Sequence, residues 1–120
     1  MHEYTINKSR FLAELYDVTS KQEVTSILTD LRKQHKKAIH VVYAYMINSK
    51  ETGFLAASSD DGEPKGTASK PLLNLLNLKQ VVNKLLVVIR YKSGPNLGAG
   101  LLMRSYLKAA SLCFKDDSKN

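Results

Sequence analysis

The run Lys84-Leu85-Leu86-Val87-Val88-Ile89-Arg90-Tyr91 constrains this chain more than any other segment. Side chains along a strand point alternately to two faces, so an apolar run without alternation belongs to a central strand buried on both of them. The remaining segments must therefore supply strand partners and covering helices. No apolar run approaches the roughly 20 residues of a membrane span, which leaves a globular fold rather than a membrane one.

Residues 4–17 (YTINKSRFLAELYD) are rich in β-formers and free of proline and glycine, and read as two short strands meeting near Asn7-Lys8. Ser20-Lys21-Gln22-Glu23 has the pattern of a capping box. Val24, Ile27, Leu28 and Leu31 then recur with helical spacing, predicting an amphipathic helix that ends near Gln34. Its last turn is basic, as the helix dipole favours. Ile39 to Ile47 is β-branched and aromatic, a strand, and the turn chemistry at residues 48–53 lets Phe54 to Ala57 return beside it. A loop over residues 58–71 leads to a helix carrying Leu72, Leu73, Leu75 and Leu76, for which Thr67 or Ser69 is the expected cap. After the apolar strand, the glycine-rich segment 92–100 precedes a last helix with Leu101, Leu102, Tyr106, Ala109 and Cys113 on one stripe. The final KDDSKN reads as a frayed polar tail. The order β(β)–α–β–β–α–β–α predicts an α+β fold, one sheet with helices packed on one face.

The chain has 120 residues, 43% hydrophobic and 24% charged, which suits one folded domain over residues 1–120. A single cysteine, Cys113, excludes an internal disulfide framework and a multi-cysteine zinc site. The N-terminal MHEYTINKSR lacks an apolar signal core, so a cytoplasmic location is expected. Lys and Arg number 18 against 11 Asp and Glu, a net charge of +7 that favours encounters with phosphate-rich partners. Arg32, Lys33, Lys36 and Lys37 crowd one stretch around His35, and Arg90, Lys92 and Arg104 flank the glycine-rich segment. A solvated basic face and a genuine polyanion surface fit that distribution equally well.

Two segments can carry chemistry. In Ser59-Asp60-Asp61-Gly62-Glu63-Pro64, three carboxylates within four residues can hold a cation, act as an acid–base pair, or accept from backbone amides in a structured turn. The spacing is not that of an EF-hand. In the segment from Arg90 through Gly98 and Gly100 to Arg104, small residues before a helix start can admit an anion or simply permit tight packing. It is neither a Walker loop nor a dinucleotide-binding fingerprint. His40 reads as a hydrogen-bonded strand residue, His35 as a solvated helix end and Cys113 as inert packing. No histidine, serine or cysteine stands in a nucleophile–base context, so no catalytic residue, metal ligand or cofactor is assigned.

Lys8-Ser9-Arg10-Phe11, His40 with Tyr43-Ala44-Tyr45, the string SDDGEPKGTASKP, and Ile89-Arg90-Tyr91 followed by Leu97-Gly98-Ala99-Gly100 and Arg104-Ser105-Tyr106 resemble the N-terminal domain of the IMPACT/YigZ family. The likeness runs from about Lys8 to Ala110. It implies a fold like the second domain of ribosomal protein S-five, a mixed four-stranded sheet with helices on one face, shared by the fourth domain of the translocation elongation factor. It also implies a role in translation. Eukaryotic IMPACT proteins compete for the activator of a starvation-sensing kinase, and ribosome or nucleic-acid binding is inferred for bacterial members. Where the family usually has an aromatic and two glycines after Arg90-Tyr91, this chain has Lys92-Ser93-Gly94, and Leu101 replaces a further glycine. Bacterial relatives usually add a ferredoxin-like second domain, which is not expected within these residues.

The leading expectation is a non-enzymatic, translation-associated domain contacting RNA, the ribosome or a translation-regulatory protein, with no membrane partner. The candidate binding set is Arg10, Asp60, Asp61, Glu63, Lys70, Arg90, Gly98, Gly100 and Arg104. A small hydrolase or phosphate-handling enzyme using Asp60, Asp61 and Glu63 with Arg90 and Arg104 is the alternative. A purely protein-binding module is a third. The acidic and glycine–arginine strings are expected to fold against each other.

Overall fold

The computed structural model describes residues 1–115. Its elements are β1 (His2–Ile6), β2 (Ser9–Asp17), α1 (Lys21–Gln34), β3 (His40–Ser49), β4 (Gly53–Ser59), α2 (Ser69–Leu78), β5 (Lys84–Lys92) and α3 (Ala99–Ser111), followed by a 3-10 turn at Leu112–Phe114. Of the expected tail, KDDSKN, Lys115 is described and the rest, from Asp116 onward, lies outside the described residues.

The apolar run forms β5, the middle strand of the order β1-β2-β5-β3-β4. All four pairings are antiparallel. The α+β architecture agrees with the sequence reading, but the sheet has five strands and is not mixed. The fifth strand is β1, the first of the two short strands read on either side of Asn7-Lys8; those two residues, both at positive φ, turn it back onto β2.

Helices cover both faces rather than one. Leu86 and Val88 of β5 pack with Phe11, Ala13, Leu72, Leu76, Leu102 and Tyr106 beneath α2 and α3. Leu85, Val87 and Ile89 point the other way, into a second cluster with Val24, Leu28 and Leu31 of α1. The stripe on α1 needs an apolar surface, and the odd-numbered residues of β5 provide one. Ser20 caps α1 through its hydroxyl on the Glu23 amide at 3.1 Å. Glu23 reaches one residue beyond the expected box partner and accepts from the Thr19 amide at 2.6 Å.

The registers place one set of segments at a single end of the sheet. The starts of β2 and β3, the ends of β4 and β5, the C-terminus of α1 and the N-termini of α2 and α3 all meet there. Among the described residues, no helix is long and apolar enough to cross a membrane.

Candidate functional site

At that end, alternation along the strands sorts the polar residues. His40 faces Arg90 across β3 and β5, and Phe11 faces Arg90 across β2 and β5, so all three share the face under α2 and α3. Arg10 pairs in register with Tyr91 and lies on the opposite face. There it forms an ion pair with Glu3 at 2.9 Å and stacks over the Tyr91 ring.

The loop from Asp60 to Ala68 folds back over the strand ends, and each of its carboxylates has its own donors. Asp60 accepts from the amides of Gly66 (2.8 Å), Ala68 (3.2 Å) and Ser69 (2.8 Å). Ala68, at the N-cap of α2, has no side-chain cap of its own, so neither Thr67 nor Ser69 fills the expected role; Asp60 does so from upstream. Partial burial pushes the Asp60 carboxyl up, but the donors of Ser69, Gly66 and Ala68 outweigh it and hold the group below its usual range. Asp61, at φ 46°, accepts from the Val41 amide at 2.7 Å and from Arg32 of α1 at 3.2 Å. Its backbone carbonyl meets His40 Nδ1 at 2.6 Å. A carbonyl can only accept, so Nδ1 carries the hydrogen in this geometry.

Glu63 is buried, and its Oε2 accepts from Arg90 Nη1 at 2.8 Å and from the Tyr106 hydroxyl at 2.5 Å. His40 Nε2 stands 3.6 Å from the other Glu63 oxygen. Burial first, and the Glu63 carboxylate second, push the Tyr106 phenol far above its ordinary range, which keeps it a hydrogen-bond donor. Arg90 also donates to Ser9 Oγ at 3.3 Å and lies over the Phe11 ring. The acidic loop and the β5 end are thus brought together through Glu63 and Arg90, as expected.

The rest of the candidate set is dispersed. Arg104, in the second turn of α3, is exposed and lines a separate depression with Tyr4, Leu107 and Lys108. The α3 residue that meets Glu63 is Tyr106, not Arg104, because Tyr106 lies on the buried stripe. Lys70 is exposed beside Lys65 near Asp60. Gly98 is the N-cap of α3, and Gly100 lies in its first turn. Among the described residues, no group of three or more His, Cys, Asp or Glu side chains is placed to hold a metal ion.

His35 differs from the solvated residue expected: it is half-buried, with Nδ1 2.7 Å from the Tyr91 hydroxyl. Ser9 and Tyr106 stand in the motif strings but not in the candidate set; strand register and helical spacing are the signals that place them beside Arg90 and Glu63. Cys113 lies in the 3-10 turn after α3, where burial pushes its thiol up to about 12, a poor nucleophile.

The Impact N-terminal domain matches residues 7–114 of the chain. The IMPACT family member YvyE of Bacillus subtilis is 41% identical over 110 residues, which cover 92% of this chain and 50% of that protein. YigZ of Escherichia coli, another IMPACT family member, is 35% identical over 101 residues, or 84% of this chain and 50% of the relative. The human protein IMPACT is 37% identical over 98 residues, 78% of this chain and 30% of its own length. The chain therefore spans about half the length of the bacterial relatives it matches. A crystal structure of a hypothetical protein superposes with a TM-score of 0.87 at 31% identity, over 94% of this chain and 55% of that one. The two-domain translational regulator Yih1 has the same fold, with a TM-score of 0.62 at 24% identity over 93% of this chain and 45% of its own.

Proposed function

The chain belongs to the Impact N-terminal domain family, and on that premise we propose that it is a non-enzymatic, translation-associated domain whose basic end contacts RNA of the translation machinery. Membership supports the setting, because the resemblance to IMPACT proteins implies translational control. The charge at one end of the sheet supports the contact. Lys8, Lys33, Lys36, Lys37, Lys65 and Lys70 are exposed there without ion-pair partners among the described residues. The loop carboxylates of the same end, Asp60, Asp61 and Glu63, are engaged by backbone amides, Arg32 and Arg90. That difference is the observation that carries the reading: the loop's anions are neutralised and the lysines around it are available. The opposite end mixes Asp17, Glu23 and Glu51 with Lys21, Lys50, Lys79 and Lys84.

The same engagement speaks against the hydrolase. Asp60, Asp61 and Glu63 point to different donors, and Arg104 stands outside their cluster.

Phosphate contacts release counterions, so binding to a labelled ribosomal RNA fragment should fall steeply with salt. Four to six contacts imply a loss of about a hundredfold or more between about 50 and 200 mM salt. Fluorescence anisotropy measures it. Absence of binding at the lower salt, or binding indifferent to salt, contradicts the proposal.

A further inference from the structure

A pocket of 340 Å³ opens between the acidic loop and the start of α3. Glu63 and Arg90 form its charged lining, Pro64, Leu97 and Leu102 its apolar walls, and Ala99 opens the helix beside them. Two features leave it incomplete. Gly98, at φ 78°, offers no side-chain cap, the first turn of α3 contains no acidic residue, and no described side chain accepts from its amides. α1 and α2, by contrast, have Ser20 and Asp60 at theirs.

The second feature is Arg90 itself. Its side chain is 6% exposed, Nη1 is held by Glu63 and Nη2 by Ser9, but Nε has no partner. Among the described residues it is the only buried side-chain polar atom so left. Buried donors are nearly always satisfied, so an orphan beside a pocket points to an acceptor that arrives from outside the chain.

The charge balance narrows that acceptor. Glu63 offsets Arg90 in the lining, and the positive surplus comes from the helix N-terminus, equivalent to about half a charge, and from the Lys92 ammonium held by Asn96 at the pocket's edge. A single negative charge matches this, and a dianion would face the Glu63 carboxylate. The walls favour a nonpolar body. We propose that this pocket binds a monocarboxylate carried on an apolar group, seated between the first-turn amides of α3 and Arg90 Nε. The carboxylate comes either from a free small acid or from a protein C-terminus ending in an apolar residue.

Heteronuclear NMR reads the site directly through the Ala99 and Gly100 amides and the Arg90 Nε–H. The probes are 3-phenylpropionate, a leucine-terminated tetrapeptide with a free carboxylate, the same peptide amidated, and inorganic phosphate at matched ionic strength. Phenylpropionate or the free peptide should shift all three signals saturably in the millimolar range or tighter. The amidated peptide and phosphate should bind about tenfold more weakly or worse. A free peptide much tighter than the small acid identifies a C-terminus as the source, and the reverse identifies a small acid. Ala99→Asp places a carboxylate in the first turn and should abolish these shifts while leaving the melting temperature unchanged or higher. No saturable shift with either acid, equal binding of the amide or phosphate, shifts confined to residues 33–37, or full binding by Ala99→Asp overturns the proposal.

Discussion

Glu63 and Arg104 stand in neighbouring motifs of the same sequence pattern, yet their environments give them opposite weights. Glu63→Ala leaves the Arg90 guanidinium buried without its counter-charge and removes the Tyr106 acceptor. Chemical denaturation should show a loss of about 3–5 kcal/mol. Arg104→Ala removes an exposed side chain with no ion-pair partner among the described residues, and should stay within about 0.5 kcal/mol. A large loss at Arg104 would place it in the fold's support after all. Asp60 acts through a different link, from ionisation to helix stability. Its carboxyl is held low in the folded chain, so its stabilisation is present above the unfolded value of about 3.9 and lost as pH falls through the folded one. Asp60→Ala should lower stability near neutral pH by about 0.5–2 kcal/mol, the range for a lost helix cap. Thermal melts on the acid limb should then show a shallower decline than the unaltered chain. An unchanged acid limb would mean that Asp60 does not couple α2 to pH. The acidic string marked these residues in the sequence, but its partners were not legible there. Asp60, Asp61 and Glu63 are three near-equivalent carboxylates until the fold decides which amide or guanidinium each one meets.

At the scale of elements, α1 carries the sharpest disagreement between pattern and structure. The order of strands and helices suggested one covered face, whereas the unbroken apolar run of β5 required two. The run was the better guide, because alternation assigns Leu85, Val87 and Ile89 to a face that α2 and α3 do not reach. Leu28 is the deciding position. It packs into the α1 cluster, so Leu28→Ala should cost about 2–5 kcal/mol in a denaturant titration. A change below about 0.5 kcal/mol would mean that α1 rests on the surface. Helix existence was legible from the periodicity of Val24, Ile27, Leu28 and Leu31, and the Ser20 cap fixed its start. The cap of α2 was not, since its carboxylate comes from Asp60, eight residues before the Ala68 N-cap is reached. The first of the two short strands meeting near Asn7-Lys8 was legible in composition, but its pairing with β2, and with it the strand count of the sheet, was not.

For the molecule as a whole, the net charge of +7 is readable from the sequence, but its placement is not. Antiparallel registers gather segments distant along the chain, so Lys8, residues 33–37 and Lys65 with Lys70 share one end. A comparison of two variants with equal change in net charge separates placement from amount. Lys33→Glu with Lys36→Glu alters the basic end, and Lys50→Glu with Lys79→Glu alters the opposite one; all four positions are exposed. Anisotropy titrations against one ribosomal RNA fragment, at one salt concentration, provide the decisive test. The account predicts that the first pair weakens binding about tenfold or more and lowers the salt slope by up to about 2, while the second leaves the slope nearly unchanged. Equal losses from both pairs would contradict it, showing that the RNA senses only the total charge and that no end of this sheet is built to receive it.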